Sequence, residues 1–375
     1  MASKEEILDV LRLINTPKIG TKKFFNLVEE HGSVKGALDF VLRNGLYKPW
    51  SAEQALREYE NAQKIGVKIL LYSDAQYPKA LNKSSYMPPL LYARGNVGAL
   101  NFEKSIAIVG GRSASITGRK TAAKIAKELA ERDVCVVSGM ARGIDAASHK
   151  GAMYAKEETG KTIAVLGTGV DVIYPQENAD IYNQIIKDGC IISEYPLGTQ
   201  AVASQFPQRN KIVAALSEAV LVVEAGINSG SLITAKLGYD MGKKLFAVPG
   251  TPGESRSQGA NLLIKNGAIL AESADDILPF LKGNNYVCEG KKEQPKQKLL
   301  VFENNDANYS EHKVETETMS NGLLDLISVD GVFVDELIRI TGKDASTMAM
   351  EILELELDGK IEKLPGNRVA LKTDC

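Results

Sequence analysis

Four stretches of this sequence place glycines and hydroxyls directly after an apolar run. Gly110-Gly111-Arg112-Ser113-Ala114-Ser115 follows residues 106–109, and Ser138-Gly139-Met140-Ala141-Arg142-Gly143-Ile144-Asp145 follows residues 134–137. Gly167-Thr168-Gly169 follows residues 162–166, and Glu224-Ala225-Gly226-Ile227-Asn228-Ser229-Gly230-Ser231 follows residues 219–223. Glycine lets the backbone turn sharply and come close to a ligand. Where a helix follows, its unpaired N–H groups and the positive end of its dipole point at the ligand. These stretches are built to cradle phosphates.

A fifth stretch adds charge and an aromatic ring. Phe206-Pro207-Gln208-Arg209-Asn210-Lys211 opens a helix, with Pro207 suited to its first turn. Arginine forks onto phosphate, and an exposed phenylalanine offers a face for an unpaired base. The other reading makes Phe206 a core anchor and pairs Arg209 with a carboxylate such as Glu224.

These loops need elements to hold them. Residues 117–132 carry apolar or small side chains at Ala122, Ala123, Ile125, Ala126, Leu129 and Ala130, the spacing of a helix. Continuous apolar strands alternating with helices predict a parallel sheet covered on both faces. In such sheets ligands bind at the carboxyl ends of the strands, so all the glycine loops fall on one edge.

The chemistry of common enzymes is missing. Three histidines, His31, His149 and His312, form no HExxH, and no Cys/His cluster suggests a metal. His149 reads as structural. Between Gly111 and Gly118 lie six residues where a Walker A loop has four, and Arg119-Lys120 replaces Lys-Ser/Thr. No GxSxG elbow and no GxGxxG fingerprint appear. No catalytic residue, cofactor or metal is expected. The four cysteines, Cys135, Cys190, Cys288 and Cys375, are far apart, and Cys135 and Cys190 sit in apolar runs. That usage fits buried thiols in a reducing cytoplasm.

The chain has 375 residues, 44% apolar and 25% charged, with a formal net charge of −2. Any nucleic-acid site is therefore local. Residues 105–283 hold 19 Lys+Arg against 18 Asp+Glu, and residues 320–375 hold 6 against 11. No apolar run reaches the ~20 residues of a membrane span. The first residues lack a signal core, so a cytoplasmic location is expected.

Four regions follow. Residues 1–65 read as a helical module of helix-hairpin-helix or SAM type, broken at 16–20 and 31–33. Its backbone at Gly20, with Lys18, Lys22 and Lys23, either holds a DNA phosphate or belongs to a simple packing domain. Residues 66–283 form the doubly wound α/β domain, with strands at 67–72 and 90–95 extending one sheet edge. Residues 284–319 are polar, interrupted by 299–302, and read as a flexible linker. Residues 320–375 read as three helices and a hairpin, a winged helix. Its third helix carries Asp344, Glu351, Glu354 and Glu356 and no cation. Such a helix is repelled by phosphate, which favours a protein-contact or regulatory role.

Read together, several segments resemble the DNA-processing protein A (DprA/Smf) family. They are residues 106–118, 138–146, Tyr174-Pro175-Gln176-Glu177-Asn178, Ser193-Glu194-Tyr195-Pro196, Phe206-Pro207-Gln208-Arg209-Asn210, 229–235 and Ala247-Val248-Pro249-Gly250. The resemblance covers about residues 66–280. It implies an extended Rossmann fold, homodimerisation through that domain, binding of single-stranded DNA, and loading of the RecA recombinase onto incoming DNA during natural transformation or recombination. It implies a DNA pocket made of Gly110, Arg112, Ser115, Arg142, Gly143, Phe206, Arg209, Asn210, Lys211, Ser229, Gly230 and Ser231. Lys211 stands where the family usually has a second arginine, keeping the charge and losing the fork. Gly111 replaces a usual serine or threonine.

The competing reading is a nucleotide enzyme of the phosphoribohydrolase (lysine-decarboxylase-like) type, with Glu194 and Glu224 as acid or base. Those enzymes show a PGGxGT loop, and this chain has Pro249-Gly250-Thr251-Pro252.

Overall fold

The computed structural model describes residues 2–155, 162–281, 323, 327, 331–341, 343, 345–364 and 367–372. They belong to two compact units, divided between residues 306 and 307. The expected linker over 284–319 lies outside the described residues. So do residues 324–326 of the first expected C-terminal helix and the Pro365-Gly366 turn.

The first unit opens with four helices: α1 (Lys4–Ile14), α2 (Thr21–His31), α3 (Val34–Asn44) and α4 (Ala52–Lys64). Ser3, Ser33 and Ser51 cap α1, α3 and α4 with their side chains, and Ser51 forms a capping box with Gln54. α2 differs, for its N-cap is Gly20 and no side chain caps it. The inward stripe of α1 (Ile7, Val10, Leu11, Leu13) packs with Val34, Ala37 and Val41 of α3 and with Val67, Ile69 and Leu71 of the first strand. The helical module is thus fastened to the sheet.

That sheet has nine strands: β1 (Val67–Leu71), β2 (Leu90–Gly95), β3 (Lys104–Gly110), β4 (Val134–Ser138), β5 (Thr162–Val165), β6 (Cys190–Ser193), β7 (Ala219–Val223), β8 (Lys244–Ala247) and β9 (Ile269–Leu270). The short α5 (Lys79–Asn82) lies between β1 and β2, and α6 (Ile116–Ala130), α7 (Ile144–Met153), α8 (Ala179–Asp188), α9 (Gln205–Leu216), α10 (Gly230–Asp240) and α11 (Gln258–Lys265) follow the later strands. The strand order is β1-β2-β6-β5-β4-β3-β7-β8-β9. From β6 to β9 all neighbours are parallel, while β1 and β2 extend the β6 edge in antiparallel register.

Alternation along each strand divides the core. Ile106, Ile108, Val134, Val136 and Leu221 meet α6 and α7. Ala107, Val109, Val137, Val220 and Val222 meet α9 and α10. Burial on both faces is why these strands read as unbroken apolar runs. The chain winds outward from β3 to β6, then returns to lay β7 on the other side of β3. β3 and β7 therefore flank the point where strand order reverses, where open α/β sheets leave a crevice.

In the second unit β10 (Val332–Phe333) and β11 (Ile361–Leu364) pair with β12 (Arg368–Leu371) between them. With α12 (Val334–Thr341) and α13 (Ala345–Leu357) they enclose Leu337, Met348, Ile352 and Val369, a winged-helix arrangement. Two of the acids on α13 have partners within the unit, Glu351 with Lys343 and Glu356 with Lys363.

Candidate nucleic-acid interface

A cavity of about 650 Å3 opens at the β3/β7 reversal. Eight of the twelve expected site residues line it: Gly110, Arg112, Phe206, Arg209, Asn210, Ser229, Gly230 and Ser231. They come from the end of β3 and the loop after it, from the loop after β7 with the start of α10, and from the first two turns of α9. The other four, Ser115, Arg142, Gly143 and Lys211, do not line it, and each has a physical reason.

Ser115 is already engaged. It caps α6 by accepting the Gly118 N–H at 2.9 Å, its own N–H donates to Glu224 Oε2 at 2.7 Å, and its hydroxyl donates to Glu224 Oε1. Glu224 has a positive φ of 49° at the end of β7, and its carbonyl accepts the Gly111 N–H at 2.6 Å. Gly118 makes room, since a Cβ there would stand 2.3 Å from the Glu224 carboxyl carbon. An internal carboxylate thus fills the anion position at the start of α6.

Arg142 is exposed and grips Glu177 with two nitrogens, Nη2 reaching Oε2 at 2.7 Å. Gly143, at φ 76°, lets the loop after β4 lie against the carbonyls of Gly111 and Arg112. Lys211 sits on another side of α9, where it donates to Gln208 Oε1 at 2.7 Å and lies 5.0 Å above the Tyr86 ring. It lines a separate cavity.

Arg209 is buried. Its Nη1 donates to the carbonyls of Gly139 and of Val165, the latter at 2.7 Å, and Nε donates to Asn210 Oδ1 at 3.1 Å. These bonds tie the ends of β4 and β5 to α9. A Cβ on Gly139 would stand 2.4 Å from its Cζ. The carboxylate that faces Arg209 is Asp145, whereas Glu224 belongs to Ser115. Burial pushes the Asp145 carboxyl up, opposed by the Arg209 charge and by the N–H groups of Ala141 and Gly139. Burial pulls the Arg209 guanidinium down, opposed by Asp145.

The Phe206 ring is half-buried, with the Arg112 guanidinium 5.5 Å and the Arg209 guanidinium 5.7 Å from its centroid. Tyr174 lies beside it at 5.7 Å. Arg112 is exposed. Sequence reasoning overlooked Asp145, Tyr174 and Asn178 as parts of the site. Asn178 Nδ2 donates to Met140 O at 2.8 Å and steadies the second loop. Both Tyr174 and Asn178 lie inside a quoted motif, which was the available signal.

Glu194 and Glu224 do not converge. Glu224 is held by Ser115, while Glu194 lines the second cavity and accepts the Tyr86 hydroxyl at 2.8 Å. Among the described residues no group of His, Cys, Asp and Glu is placed to hold a metal, and no helix is long and apolar enough to cross a membrane.

Residues 68–282 match the family described as DNA recombination-mediator protein A, more than half of the chain. The chain belongs to the DprA/Smf family. Residues 4–61 match the DprA-like N-terminal HHH domain, and residues 311–367 match the DprA winged helix domain. Protein Smf of Escherichia coli is 33% identical over 309 residues, 82% of this chain and 78% of that protein. DNA processing protein DprA of Streptococcus pneumoniae is 42% identical over 205 residues, 55% of this chain and 71% of that protein. The crystal structure of the Streptococcus pneumoniae protein aligns with a TM-score of 0.60 at 31% identity, covering 75% of this chain and 94% of that one. A structure reported for the unique single-stranded DNA binding mode of DNA processing protein A from Helicobacter pylori aligns with a TM-score of 0.51 at 29% identity, covering 57% of this chain and 95% of that one.

Proposed function

We propose that this chain binds single-stranded DNA at the carboxyl edge of its sheet, protects it and loads RecA recombinase onto it, in transformation or general recombination. It acts as a homodimer through the sheet-bearing domain, in the cytoplasm, as a binding protein without catalysis. The observation that carries the reading is the half-buried Phe206 ring on the cavity wall, with the guanidiniums of Arg112 and Arg209 5.5 and 5.7 Å from its centroid. An aromatic face suits an unpaired base, and the exposed Arg112 beside it suits a phosphate. A duplex keeps its bases stacked inside and gains little from such a ring. The Helicobacter pylori relative, described by its single-stranded DNA binding mode, supports the same reading.

Fluorescence anisotropy with labelled oligothymidine and a matched duplex, across a salt series, tests it. The expected result is salt-sensitive binding that favours the single strand, with a log–log slope near −0.7 per phosphate contacted. A flat salt response, or equal binding of the duplex, would count against it. RecA loading is tested by the rate of RecA filament nucleation on oligothymidine with and without the protein, and the dimer by solution mass.

A further inference from the structure

The first two turns of α9 are a wall shared by two cavities. Phe206, Arg209 and Asn210 face the one described above, and Gln208 and Lys211 face a second of about 1070 Å3. The second lies between the start of α2, the loop at 84–87 and residues 194–196. We propose that this second cavity is a base-reading subsite for the bound strand, in which Glu194 accepts a hydrogen bond from the exocyclic amino group of a base and disfavours thymine. The inference rests on the single-stranded DNA reading above.

Glu194 is the argument. Its Oε2 accepts the Tyr86 hydroxyl at 2.8 Å, but its Oε1 is buried without a hydrogen-bond partner among the described residues. A buried acceptor without a donor is unfavourable, and a ligand that supplies one is selected for it. The neighbouring cation does not fill the gap: Lys211 donates to Gln208 and lies over Tyr86. Cytosine, adenine and guanine each carry an amino group, and a carboxylate accepting from cytosine N4 is an established pairing in base recognition. Thymine offers one ring N–H between two carbonyl oxygens, which would face the carboxylate with like polarity.

The rest of the cavity suits a nucleotide. Tyr86 and Tyr195 provide aromatic surface. The start of α2 has no side-chain cap, and Lys22 stands exposed beside it, so a phosphate has somewhere to go at the rim. With Arg112 lining the first cavity and Lys211 the second, a strand crossing α9 meets a cation on either side.

The test measures binding of the full chain to oligodeoxycytidine and oligothymidine of equal length at one salt concentration and pH 7.5. Wild type is expected to prefer the cytosine oligomer by about tenfold, the worth of one charge-assisted hydrogen bond. Oligomers of N4,N4-dimethylcytosine, which lack the amino hydrogens, should bind wild type as weakly as oligothymidine; this arm needs no variant. Glu194→Gln, which keeps shape and adds a donor, should bring the ratio close to one while retaining binding. Arg112→Ala should weaken both oligomers equally and keep the ratio. A wild-type ratio near one, or a ratio unmoved by the dimethyl base or by Glu194→Gln, overturns the subsite and leaves single-strand binding standing. Failure of folded wild type to bind any single strand overturns the parent reading instead.

Discussion

The carboxylate of Glu224 occupies the start of α6 through Ser115, taking its N–H at 2.7 Å and its hydroxyl as well. An acid from the end of β7 does for α6 what a bound phosphate would otherwise do. The first glycine loop therefore presents Gly110 and Arg112 to the cavity, which they line. Ser115 serves as the clasp that holds the loop to its neighbour.

Breaking the clasp should be visible in stability. Glu224→Ala removes both bonds to Ser115 and should lower the unfolding free energy by about 2 kcal/mol. Gly118→Ala would push a methyl to 2.3 Å from the same carboxyl group and should destabilise by the same route. Urea denaturation of both singles and the double should show a double that loses clearly less than the sum.

Arg112 and Arg209 should separate cleanly. Arg112 is exposed, so Arg112→Ala should leave the melting temperature unchanged, weaken oligothymidine binding and reduce the salt slope by about 0.7. Arg209→Ala strips the Gly139 and Val165 carbonyls of their donor inside the protein. Two buried acceptors left unpaired should cost about 2–5 kcal/mol of stability, so its loss of binding comes with a lowered melting curve. Thermal melts beside anisotropy titrations check both expectations.

Arg142 is paired with Glu177, both side chains being exposed. An exposed pair of this kind contributes about 0.2–1 kcal/mol. Glu177→Gln should leave stability nearly unchanged and release a cation beside the cavity. Oligothymidine affinity at low salt should rise, by roughly threefold, and the gain should fade as salt screens it. A salt series on the variant measures this.

His149 gives the fold an acid-sensitive point. Its Nδ1 is bonded to Thr162 Oγ1 at 2.7 Å, its Nε2 is buried without a partner among the described residues, and burial pulls its pKa down to about 3. The unfolded value is near 6.5, so between those pH values the unfolded chain binds the extra proton. Stability from this group is complete above pH 6.5 and is lost as pH falls toward 3. From pH 6.5 to 5 the loss should be on the order of 2 kcal/mol. His149→Asn should show a flatter unfolding free energy over that interval in urea titrations.

Much of the frame could be read from the sequence because it depends on local pattern. Apolar runs followed by glycine turns located β3, β4, β5 and β7, and the rule for open parallel sheets put their loops on one edge. The partners inside the site could not be read that way. Ser115 meets Glu224 from 109 residues away, and Arg209 meets the Gly139 carbonyl from 70 residues away. Lys211 follows Arg209 by two positions, yet two helical steps turn it to another side of α9. Motif membership named these residues together and could not say which line the cavity, which face each other, and which face inward.

Arg209 joins β4, β5 and α9 through hydrogen bonds that exist before any ligand arrives. The floor beneath Phe206 is consequently ordered in the empty protein. A strand that lands there loses its own freedom and asks for little reorganisation of its host, so the entropic penalty of association falls mainly on the DNA. Calorimetry should then find a heat-capacity change that scales with the bases buried, free of the large contribution that accompanies coupled folding.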